Sequence, residues 1–156
     1  MSEKSFSSPL STHPSPLAFS PSYIHVPLPE GHRFPMGKYA LLSEALTNLG
    51  WQIEKAPSAT LEDLQRVHTS EYIQKWFDLS LTPQEERKLG LPQSQELLER
   101  SVASVGGTVA AMLRAFEIGY SINLAGGTHH AFAERGEGFC VFNDLAVASR
   151  KAIAEG

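Results

Sequence analysis

The first clear pattern along the chain is helical: Tyr39, Leu42, Leu46 and Leu49 recur at intervals of three and four. Gly50 stands where a helix-ending glycine belongs, so a helix is predicted from about Gly37. Trp51, Ile53 and the alternation to Pro57 predict a short strand after it, and upstream Pro16 to Phe19 reads as another. Leu17, Phe19, Tyr23 and Ile24 are the first candidates for burial. Thr60 with Asp63 marks a small helix start, and Thr69 or Ser70 caps a helix whose Tyr72, Ile73, Trp76 and Phe77 form one apolar face. Thr82 and Glu85 make a capping box with Pro83 at the first helical position, and Gly90 stops that helix. The longest element runs from about Ser94 to Ile118, with Leu98, Val102, Val105, Val109, Met112 and Phe116 on one face. Gly106 and Gly107 inside it cost about 1 kcal/mol each relative to alanine, which predicts that another backbone approaches closely there. Tyr120 to Ala125 reads as a buried strand, a polar glycine-rich loop runs to Asn143, and Asn143 or Asp144 caps a last helix.

Composition narrows the class. The chain has 156 residues, 42% of them hydrophobic, enough for one domain and too few for two. Thirteen Lys plus Arg against seventeen Asp plus Glu leave a net charge of −4, which offers no diffuse grip on nucleic acid or anionic lipid. The single cysteine, Cys140, excludes an internal disulfide framework and a thiolate zinc cluster, and it fits a reducing, cytoplasmic location. The weakly polar stretch Ser101 to Leu113 is shorter than the roughly 20 apolar residues of a membrane span, so a soluble protein is expected. Between Lys4 and Glu30 there is no charged residue, while Ser and Pro recur, and residues 1–15 read as a disordered leader to a single unit over 16–156.

The chemistry concentrates in the loop between the last predicted strand and helix, a position where open α/β sheets bind ligands. There Gly126 and Gly127 precede Thr128, His129 and His130, and Gly136 and Gly138 permit close approach on the return leg. In extended backbone adjacent side chains diverge, so His129 and His130 are poorly placed to chelate one ion and unlike the HExxH arrangement. They suit divided proton transfer, one accepting from an attacking water and one stabilising charge; a pair of ordinary surface histidines is the competing reading. Cys140 with a histidine and Asn143 would make a thiol hydrolase, against which stand the apolar neighbours Phe139 and Val141. Gly126-Gly127-Thr128 as a phosphate-cradling turn lacks the P-loop spacing and lysine. His13, His25, His32 and His68 have no ligand spacing and read as surface or structural residues.

At Gly126-Gly-Thr-His-His130 and Gly138-Phe-Cys-Val-Phe-Asn-Asp144 the sequence resembles the histone deacetylase superfamily, nearest its bacterial and class IV-like branch. Leu28-Pro-Glu-Gly-His-Arg-Phe-Pro-Met-Gly-Lys-Tyr39, Val67-His-Thr-Ser-Glu-Tyr-Ile73 and Ser104-Val-Gly-Gly-Thr108 extend the likeness from about Pro16 to the end. The resemblance implies an α/β, three-layer arginase/deacetylase-like fold with a parallel sheet, of which this chain is the N-terminal half. It implies His130 as general base and His129 as its electrostatic partner. Gly138 would offer its carbonyl to the substrate amide, Phe139 would wall a narrow channel, Cys140 would line the floor, and Asp144 would belong to the structural return of the loop. The implied reaction is zinc-dependent hydrolysis, with iron an alternative metal, of an amide such as an acetyl-lysine peptide or acetylated polyamine. The chain departs from the family by ending before its Asp-x-Asp-x-His block, later metal-binding aspartate and catalytic tyrosine, so none of its residues matches a metal ligand. The expectation is therefore a chain inactive by itself and prone to self-association. A non-catalytic fragment binding acyl ligands or a partner is the alternative, and a cysteine hydrolase using Cys140 a further one.

Overall fold

The computed structural model describes residues 17–155; the stretch expected as a leader over 1–15 lies outside the described residues. Three parallel strands, β1 (Leu17–Ser20), β2 (Gln52–Lys55) and β3 (Ile122–Asn123), form a sheet in the order β2-β1-β3. The first strand is central and all four of its residues are buried, as an uncharged Leu-Ala-Phe-Ser run suits. Its side chains alternate between faces. Leu17 and Phe19 pack with Ala111 of the long helix α5 (Gln95–Ile118), whereas Ser20 Oγ lies 3.3 Å from Ser43 Oγ of α1 (Lys38–Asn48). Helix, sheet and helix thus make three layers.

The larger core lies beside the sheet, where α2 (Leu61–Gln65), α3 (Ser70–Phe77), α4 (Pro83–Leu89) and α6 (Asp144–Glu155) gather on α5. Trp76, Leu64, Ile73, Leu89, Val26, Val105 and Val147 are among its fully buried side chains. The helix starts form as the sequence predicts. Thr60 with Asp63 and Thr82 with Glu85 are reciprocal capping boxes, Thr69 accepts the Tyr72 N–H, and Asn143 Oδ1 accepts the Ala146 N–H. Each satisfies an amide that the first turn leaves unpaired.

The backbone expected against Gly106 is the segment that leaves β2. A Cβ on Gly106 would lie 2.1 Å from the Pro57 carbonyl oxygen, and Ala59 N–H donates to the Val102 carbonyl of α5 (3.1 Å). α5 is long and apolar enough to cross a membrane by length and composition, but nine of its residues are buried, and it packs on α6, β1 and β3 as a core helix.

Several expectations are corrected. Tyr23, a first candidate for burial, is exposed. The predicted helix α1 forms, but its stripe is uncovered: no α1 residue is buried, and Leu49 is 75% exposed. A helical period reports a stripe, not whether anything covers it. Phe116, assigned to the core face of α5, is 73% exposed, and Phe77 at the end of α3 is also exposed. α5 is about 36 Å long at 1.5 Å per residue, so its last turns overshoot the short strands. The buried strand expected over 120–125 pairs only at Ile122 and Asn123, both half-buried; Leu124 is buried and donates its N–H to the Phe19 carbonyl (2.9 Å). The side of β3 away from β1 is unpaired among the described residues.

Candidate active site

From the carboxyl end of β3 the chain enters the loop that holds the paired histidines. Its first leg is anchored by a polar network between β3, α5 and α6. Asn123 Nδ2 donates to the Ser104 carbonyl (2.7 Å) and to Thr108 Oγ1 (2.8 Å), and Ser104 Oγ donates to the Ala125 carbonyl (2.9 Å). Asp144 Oδ2 accepts from Thr108 Oγ1 (2.5 Å) and from the Gly127 N–H (2.9 Å). Asp144 is buried, which pushes its carboxyl pKa up, while the two donors pull it down. Gly126 is required by this network: a Cβ there would lie 2.4 Å from both Asp144 Oδ2 and Thr108 Oγ1.

The return leg is held by α3 and the end of α4. Tyr72 OH donates to the Val141 carbonyl (2.8 Å), and a Cβ on Gly136 would meet that hydroxyl at 2.7 Å. Gly138 N–H donates to the Lys88 carbonyl (3.3 Å) and Phe139 N–H to the Leu89 carbonyl (2.7 Å), so the last carbonyls of α4 position both residues. Both have left-handed backbone, φ +57° and +65°, which is uncommon for a phenylalanine. It sets the Phe139 ring over Gly90, where a Cβ would lie 2.9 Å away, and against Phe34 (centroids 5.2 Å) and Arg33 (5.0 Å).

His129 and His130 are exposed at the loop's tip. Their rings do not diverge as an extended backbone would make them: centroids lie 4.6 Å apart with planes 30° from parallel. The His130 ring rests on Gly138, where an added Cβ would meet its Cγ at 3.3 Å. Two imidazoles therefore share one open face, suited to dividing proton acceptance and charge stabilisation.

Beneath the loop is a cavity of about 60 Å³, lined among others by Phe34, Tyr39, Arg100, Ser104, Thr128 and Phe139. Arg100 is 6% exposed; its Nη1 donates to the Pro21 carbonyl (3.1 Å), its guanidinium carbon lies 4.1 Å from the Tyr39 ring centroid, and Nη2 has no partner among the described residues. Cys140 is 1% exposed, with Sγ directed at the Thr128 (3.5 Å) and Phe142 (3.3 Å) carbonyls. Among the described residues no histidine is a hydrogen-bond partner of Cys140, and Asn143 gives its side chain to Ala146 and Ala131, so these residues do not assemble the thiol triad.

Sequence reasoning assigned no role to Arg100, Asn123 or Thr108, the last named only within the Ser104–Thr108 block. Arg100 lies off the apolar stripe and so reads as solvent-facing. Thr108, one turn after Ser104 on the same face, was the one available signal of a polar patch inside α5. Among the described residues no group of three His, Cys, Asp or Glu side chains could hold a metal ion. The donor set of the described residues therefore does not fit a zinc site.

Residues 32–156 match the family model described as the histone deacetylase domain. An uncharacterized protein of Picosynechococcus sp. is 42% identical, the match covering 86% of this chain and 46% of that protein. The acetoin utilization protein AcuC of Bacillus subtilis is 33% identical, covering 83% of this chain and 37% of its own. Among solved structures, a histone deacetylase homologue from Aquifex aeolicus superimposes with a TM-score of 0.74 at 27% identity, covering 91% of this chain and 42% of that one. A homologue complexed with SAHA gives 0.74 at 28%. The chain spans less than half the length of these relatives.

Proposed function

This chain belongs to the histone deacetylase family and covers the N-terminal part of its domain, and on that premise we propose that the whole protein is an amide hydrolase acting on an acetylated substrate such as an acetyl-lysine peptide or acetylated polyamine. The observation that carries the reading is the pair of accessible imidazoles, 4.6 Å apart, on a loop leaving the carboxyl end of a parallel strand. In this reading His130 takes the proton of the attacking water and His129 stabilises the charge that develops beside it. Water adds to the amide carbonyl carbon, the C–N bond breaks, the amine leaves with a proton, and a carboxylate remains. The Gly138 carbonyl accepts the substrate amide N–H, Phe139 walls the channel and Cys140 backs its floor. Arg100 supports the assignment, since a buried cation in the cavity below the loop favours a small carboxylate product.

The metal belongs to the same proposal: zinc, or iron, held by ligands from outside this chain, would polarise the carbonyl. The 156 residues alone are then expected to be inactive. A buried, unpaired thiol suits the cytoplasm as the proposed location. In the intact protein, activity on an acetyl-lysine peptide is expected to vanish with a chelator, to return with zinc, and to survive thiol alkylation. Loss on Cys140→Ser combined with indifference to the chelator would replace the metal reading by the thiol one.

A further inference from the structure

One buried imidazole ties the two legs of the paired-histidine loop together. His68, 3% exposed, lies between α2 and α3, next to Thr69, whose N–H donates to the Ala133 carbonyl (2.9 Å). Its Nδ1 lies 3.0 Å from the Phe132 carbonyl oxygen on the outgoing leg, and its Nε2 lies 3.0 Å from the Asn143 N–H on the return leg. A carbonyl only accepts and an amide N–H only donates, so Nδ1 must carry the hydrogen and Nε2 must be bare. The two backbone partners thereby fix one neutral tautomer, and the Phe142 (5.2 Å) and Tyr72 (5.7 Å) rings hold its plane.

We infer that His68 is the positioning residue of the catalytic loop, a clamp on Phe132 and Asn143 that sets where His129 and His130 stand. This role rests on the proposed reading of those two histidines. The clamp exists in one protonation state. A second proton has to enter at Nε2, where it would face the Asn143 N–H and break that bond. From α3 the titratable group facing the ring is Tyr72, whose hydroxyl is given to the Val141 carbonyl and whose pKa burial pushes upward. The loop presents the Phe132 and Ala133 carbonyls, which favour the proton, and the return leg presents Phe142 and Asn143, which are neutral. No charged side chain contributes among the described residues, and burial outweighs the carbonyls, holding the imidazole below its ordinary 6.5. The loop is therefore clamped at neutral pH and released in acid.

Hydrogen exchange on the 156-residue chain reads the clamp without requiring turnover. His68→Phe keeps the ring volume and removes both polar contacts; His68→Gln keeps a donor and an acceptor. Exchange across 124–143 is expected to speed at least tenfold in His68→Phe, with α3 and α5 unchanged, and to recover in part in His68→Gln. After correction for intrinsic rates, wild-type protection of the same segment should fall with pH below 6.5, and 15N spectra at neutral pH should show His68 protonated at Nδ1. Unchanged loop exchange in His68→Phe overturns the clamp, as does an Nε2-protonated ring or an equal loss across the whole chain in both variants. In the intact enzyme His68→Phe should lower kcat with KM little changed. Loop release in the chain with normal turnover in the enzyme would leave the clamp standing and remove the catalytic reading of the paired histidines.

Discussion

Gly126 has no room for a methyl group between Asp144 and Thr108, so Gly126→Ala must push apart the network that starts the loop. A loss of about 2–3 kcal/mol is expected, read as a lower urea midpoint at unchanged m. Thr108→Val removes the donor to Asp144 and the acceptor of Asn123 together, for an expected cost of about 1–3 kcal/mol. Asp144 also leaves a signature in pH. Burial raises its pKa above the unfolded value, so its contribution is fully present below the unfolded carboxylate pKa and is lost as pH rises through the folded one. The stability advantage of wild type over Asp144→Asn should accordingly be larger at pH 4 than at pH 7 in denaturant melts; an advantage that grows with pH would contradict the sign. Sequence made the glycines and the histidine pair legible because they are neighbours in one short segment. The roles of Arg100 and His68 were not legible, since their partners stand 79, 64 and 75 residues away.

At the scale of elements, capping residues and breakers predicted helix ends well because each acts within four residues of itself. α4 shows how such a local device gains a second use. Glu85 closes the capping box with Thr82 and meets Lys75 of α3 at 2.6 Å, and the Lys75 ammonium holds its carboxyl down to about 2. Glu85→Gln keeps an oxygen for the Thr82 N–H and removes the charge, so it is expected to cost only about 0.5 kcal/mol, from the partly exposed Lys75 pair and the helix N-terminus. That loss should shrink as pH falls from 4.5 toward 2, where the wild-type carboxyl itself protonates. Gly106 is the stronger constraint, since α5 crosses the 57–59 backbone there with no space for a side chain. Gly106→Val should cost at least ~3 kcal/mol, or roughly 6–12 °C in Tm for a chain of this size. The sequence indicated that something approaches Gly106 and could not say what, because the approaching segment lies about 50 positions earlier and carries no pattern of its own. The same limit explains α1, whose periodic stripe is real and uncovered.

For the whole molecule, the open side of β3 adjoins an apolar groove between α5 and α6, bordered by Met112, Ile122, Leu145 and Ala152, with Ile153 and Phe116 exposed nearby. An unpaired strand edge beside exposed apolar side chains favours association. The chain is expected to sediment as a concentration-dependent oligomer, shifted toward monomer by Leu145→Lys; a stable monomer at high concentration would contradict this. The fold class was legible from residue blocks along most of the chain, and so was the expectation of self-association through the strand over 120–125, whereas the strand order β2-β1-β3 is known only from the structure. The paired histidines stand at the end of that same sheet, on a loop held from α3, α4, α5 and α6, and their use in catalysis is the claim on which the functional reading depends. The direct measurement is steady-state kinetics of the intact deacetylase domain on an acetyl-lysine peptide, comparing wild type with His130→Ala and Cys140→Ser. A fall of roughly 100-fold or more in kcat for His130→Ala, with KM little changed and Cys140→Ser close to wild type, is expected. Normal turnover in His130→Ala would contradict it.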